Sequence, residues 1–88
     1  MVFLGQDIKT STVNIKYDIP YNGVVEIRLF DQEGEKIWQH QYTNTHGENQ
    51  IALKRSKFVP GEMYEYVLNY KTDAFRHSFV VPPTGFVE

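Results

Sequence analysis

Eighty-eight residues, 41% hydrophobic, 23% charged and 15% aromatic, make one foldable domain and leave too little chain for a second core. Nine Lys and Arg against eleven Asp and Glu give a net charge of −2. The basic residues are scattered, so no stripe exists to neutralise phosphates, and nucleic acid is not an expected partner. With no cysteine, disulfides, thiolate metal sites and thiol catalysis are removed together, and the fold must stand on packing.

Met1-Val2-Phe3-Leu4-Gly5-Gln6-Asp7 has no basic start, and its apolar run is too short for a signal peptide. No window approaches the roughly 20 apolar residues of a membrane helix, so membrane insertion is not expected. The expectation from this stretch is a cytoplasmic protein, or a chain that begins after processing or inside a longer protein.

Period-two alternation dominates the chain, which predicts an all-β fold. Val2-Phe3-Leu4 is a candidate first strand. Val13, Ile15, Tyr17 and Ile19 then share one face, with Thr12, Asn14, Lys16 and Asp18 opposite, up to Pro20 and the Asn22-Gly23 turn. The next strand turns Val25, Ile27 and Leu29 inward and Glu26 and Arg28 outward. Asp31-Gln32-Glu33-Gly34 is a hairpin connection in which Gly34 supplies the positive φ of a type I turn with a G1 bulge. Beyond it, Ile37, Gln39 and Gln41 oppose Trp38, His40 and Tyr42. The favoured reading places Ile37 inward, with Trp38 and Tyr42 covering a sheet edge or an outer face.

A polar cluster, Thr43-Asn44-Thr45-His46-Gly47-Glu48, precedes a short strand carrying Ile51 and Leu53. Phe58-Val59-Pro60-Gly61 is a turn with an apolar plug. Tyr64, Tyr66, Leu68 and Tyr70 line one face of the following strand, and Lys71-Thr72-Asp73 turns the chain into Phe75, His77, Phe79 and Val81, interleaved with Arg76 and Ser78. Pro82-Pro83-Thr84-Gly85 ends the sheet and leaves a short tail. These elements predict an immunoglobulin-like antiparallel β-sandwich of about six or seven strands. It forms a single domain over residues 1–88, with its core in 12–81 and a tail at 82–88. Such sandwiches expose edge strands, which are either protected or used for binding.

One run of residues resembles a known family. Ile19-Pro20, Gly23, the strand Val25, Ile27 and Leu29, the pair Phe30-Asp31, Gly34 and Ile37 follow one another as in the C-terminal sorting domain of type IX secretion cargo and the related immunoglobulin-like module of flagellar hook-capping proteins. Gly47 before Ile51 and Leu53, Pro60-Gly61 before Tyr64, Tyr66 and Leu68, and Arg76 before Phe79-Val80-Val81 continue the likeness, which spans roughly Thr12 to Val81. The resemblance implies a bacterial module of surface, secretion or assembly systems. In a sorting role, the closing strand Phe75 to Val81 and the tail would be what a translocon reads.

No residue set supplies a nucleophile, an acid and a base in convergent positions, so no catalytic residue, cofactor or metal ligand is assigned and an enzyme is not expected. His40, His46 and His77 lack the spacing of a metal site. Asp31, Glu33 and Glu35 suggest a carboxylate dyad or a calcium loop, yet turn chemistry accounts for Asp31 and Gly34 in full. Trp38, Tyr42, Tyr64, Tyr66 and Tyr70, with Gln39, Gln41 and Asn69, allow a carbohydrate-binding platform as an alternative function. A small cytoplasmic adaptor is a further one. The leading reading is a non-enzymatic interaction module that meets a protein partner through an edge strand or aromatic patch, at a surface including Trp38, Tyr42, Arg76 and Val81.

Overall fold

The computed structural model describes residues 1–8 and 12–82. The predicted tail falls outside them but for Pro82. Among the described residues seven strands run in chain order: β1 (Val2–Ile8), β2 (Thr12–Ile19), β3 (Gly23–Phe30), β4 (Lys36–Asn44), β5 (Gly47–Lys54), β6 (Met63–Tyr70) and β7 (Asp73–Val80). A 3-10 turn, Arg55–Lys57, follows β5. They form two antiparallel sheets, one ordered β1-β2-β5 and the other β4-β3-β6-β7. This is the immunoglobulin-like sandwich expected from the alternation.

Burial follows the alternation closely in the central strands. Val13, Ile15, Tyr17 and Ile19 of β2 are all fully buried, as are Val25, Ile27 and Leu29 of β3. Tyr64, Tyr66, Leu68 and Tyr70 of β6 complete the inner layer, with Ile51 and Leu53 from β5 and Phe58, Phe79 and Val81 from the rim. At the β1 and β7 end, Phe3 stacks on Phe75 with ring centroids 4.3 Å apart and lies 5.5 Å from the His77 ring. That stack shows the two sheets meeting face to face there.

Two turns carry the connections in the way their residues dictate. Asp31 caps the β3 to β4 hairpin: its Oδ1 accepts the amides of Glu33 and Glu35 at 2.9 and 3.0 Å, and Gly34 stands at φ 82°. Ahead of β6, Pro60 and Gly61, the latter at φ 86°, form the turn closed by the Glu62 amide donating to the Val59 carbonyl. Tyr64 locks this corner. Its hydroxyl oxygen accepts the Val59 amide at 2.8 Å, which is the tyrosine corner of immunoglobulin-like sandwiches. Two residues further, where antibody domains keep a disulfide cysteine, this chain buries Tyr66.

The structure corrects the facing of β4. Leu29 pairs with Trp38 and Phe30 with Lys36, so Ile37 is an extra residue bulged out of the ladder. A one-residue bulge flips every side chain beyond it to the other face. Ile37 is therefore exposed (44%), while Trp38 and Tyr42 turn inward and pack half-buried against the core. The first strand is also longer than Val2-Phe3-Leu4, because a register shift between Phe3 and Gly5 lets it continue to Ile8.

Candidate interaction edge

Among the described residues each sheet ends in two edge strands: β1 and β5 in one, β4 and β7 in the other. Three of these carry the usual blunting devices, charges or bulges. β1 is broken by its register shift and bears Asp7, β5 bears Glu48 and Lys54, and β7 bears Asp73 and Arg76. β4 carries its bulge and Lys36 at the end nearest the hairpin, and its residues 38–44, Trp-Gln-His-Gln-Tyr-Thr-Asn, contain no Lys, Arg, Asp, Glu, Pro or Gly, a longer such run than any in the other three edge strands.

The inner face of this segment is a row of rings. Trp38 and His40 are stacked with centroids 5.9 Å apart, and His40 meets Tyr42 edge-on at 4.6 Å. Lys57, in the 3-10 turn, places its Nζ 4.4 Å over the Trp38 ring. That cation holds the indole against the core. Tyr42 lies by the buried Tyr17, whose hydroxyl hydrogen-bonds the Asn44 side chain. Burial, with the neighbouring Tyr42, pushes the Tyr17 phenol up to about 12, and burial alone raises Tyr42. Neither hydroxyl is therefore poised to exchange protons near neutrality.

The outer face of the same strand is a hydrogen-bonded amide row. Glu26 of β3 accepts from Gln39 at 3.0 Å and Gln41 at 3.3 Å, and its other oxygen pairs with Arg28 at 2.7 Å. Lys36 Nζ donates to Gln39 Oε1 at 2.6 Å. Further across the sheet, Glu65 accepts from Arg76 and Ser78. Between the two clusters Val67 is buried although it faces outward, because Arg28 and Arg76 flank it in register. A shallow pocket of about 160 Å³ opens beside Phe30, Met63, Glu65 and Ser78. No family model matches this chain, and neither does any curated protein or solved structure.

The predicted surface of Trp38, Tyr42, Arg76 and Val81 is not brought together. Trp38 and Tyr42 share the inner side of β4, Arg76 projects from the outer side of the opposite edge, and Val81 is fully buried. Val81 is therefore a core residue and is withdrawn from any contact surface. The rings and amides of a sugar platform are also separated: Trp38 and Tyr42 face inward, Gln39, Gln41 and Asn69 outward, and Tyr64, Tyr66 and Tyr70 are buried. His40, His46 and His77 do not converge with acidic side chains, and among the described residues no three His, Cys, Asp or Glu are grouped as a metal would need. The absence of charge from 38 to 44 is visible in the sequence, which leaves Trp38 and Tyr42 at a sheet edge or on an outer face; the strand order makes the segment an edge.

Proposed function

We propose that this protein is a non-enzymatic interaction module whose binding element is β4, and that it recruits a protein strand by sheet extension. The observation that carries this reading is the uncharged stretch 38–44 on a sheet edge, longer than any uncharged run on the other three edge strands. Backbone groups on the outer side of β4 supply affinity, and the ring and amide rows supply register. The likeness to sorting and hook-capping modules supports a role in a bacterial surface, secretion or assembly system, in which such a module joins a larger machine. A photo-cross-linking residue at position 41, with the same residue at position 78 on β7 as control, tests the proposal in cells expressing the protein. Adducts to protein from position 41 are expected. Equal or greater yield from position 78 would assign contact to the other edge and reject β4.

A further inference from the structure

Read from its middle residue, the open segment is symmetric in kind: Trp38-Gln39-His40-Gln41-Tyr42 runs aromatic, amide, imidazole, amide, aromatic. Symmetry of this sort has a geometric meaning on an edge strand. If two copies of β4 lie antiparallel about a two-fold axis at His40, each position meets the one equally far on the other side. Trp38 of one copy then faces Tyr42 of the other, Gln39 faces Gln41, and His40 faces itself. Opposed residues share a face in an antiparallel pair, so rings meet rings on the inner side and amides meet amides on the outer side.

Charge makes the same selection. An isologous contact sets a patch against its own copy, so net charge near the axis meets like charge. Residues 38–44 carry no formally charged side chain with histidine neutral. The nearest charges on the strand and its partner, Lys36, Glu26 and Arg28, lie off the axis and are satisfied within one molecule by one another and by Gln39 and Gln41, and Lys57 stands over Trp38, two positions from the axis. Resting on the reading of β4 as the binding edge, we infer that its occupant is a second copy of this chain, which joins two four-stranded sheets into one continuous sheet. A single strand pair buries less than a standard-size interface, so the dimer is weak and its population rises with concentration.

Sedimentation velocity across the micromolar to millimolar range tests this, with the mass expected to climb from the 10.3 kDa of one chain towards twice that value. The double variant Gln39→Lys/Gln41→Lys sets Lys against Lys across the axis, while Glu26 beneath both positions keeps it compatible with the fold. It is expected to stay monomeric at every concentration with unchanged circular dichroism. Because the chain has no cysteine, His40→Cys offers a clean second readout: two sulfurs at the axis fall within disulfide reach, and mild oxidation should give a covalent dimer faster than for Ser78→Cys. A wild-type protein that remains at the monomer mass throughout, or equal cross-linking by both cysteine variants, would overturn the second-copy assignment. The wider reading is tested separately. A monomeric protein whose position-41 cross-linker captures a different protein retains β4 as the edge but loses self-pairing, whereas no adduct from position 41 ends both.

Discussion

Tyrosine is the residue that most clearly divides structural from spectator chemistry in this molecule. The Tyr64 hydroxyl accepts the Val59 amide, so Tyr64→Phe strands a partly buried donor and should cost about 1–3 kcal/mol. Tyr66 is fully buried and its hydroxyl has no partner among the described residues. Tyr66→Phe should therefore be neutral or stabilising. Urea unfolding of the two variants at constant m-value checks the contrast, and a comparable loss in both would contradict it. The same burial sets an alkaline limit. Tyr17 and Tyr66 are both raised, Tyr17 to about 12, so the folded state holds protons that the unfolded chain releases above about pH 10. Stability is complete below that value and falls as pH rises, by roughly 1.4 kcal/mol per pH unit for each buried phenol. Tyrosine absorbance and circular dichroism followed together should show these two rings ionising only as the fold is lost.

Strands with unbroken alternation were fully legible from sequence, and the strand with a bulge was not. In β2, β3 and β6 the apolar positions repeat every second residue, and the predicted inner faces are the buried ones. In β4 the alternation is equally visible, but its phase depends on whether Ile37 is paired, and no local residue signals that it is not. Val67 escaped for a different reason: its shielding comes from Arg28 and Arg76 on neighbouring strands, which only the register reveals. The bulge supports a direct prediction. Deleting Ile37 leaves Lys36 outward and Trp38 inward as before, so tryptophan emission should keep its wavelength, with a stability change within about 1 kcal/mol. A red shift to a solvent-exposed spectrum would show that the bulge sets the position of Trp38. Gly34 makes the opposite case, since Gly34→Ala places a Cβ at φ 82° and should cost about 1 kcal/mol despite open space around it.

Across the whole molecule, the two sheets share one apolar layer, and stability depends on its central members more than on its edge. Ile27→Ala or Leu68→Ala removes a fully buried side chain and should cost about 2–5 kcal/mol, enough to unfold much of so small a domain. Trp38→Ala, at the half-buried rim under Lys57, should cost less, about 2 kcal/mol. Concentrating the core in the inner strands is what leaves β4 free to present its outer side. Whether this edge is open can be read by residue-resolved amide hydrogen exchange on dilute protein. Protection should alternate along 38–44, slow where the amide bonds to β3 and fast at every second residue, whose amide points away from the sheet. Uniform slow exchange along the segment in dilute solution would mean that the edge is already covered within one chain, so that β4 is not a free binding edge.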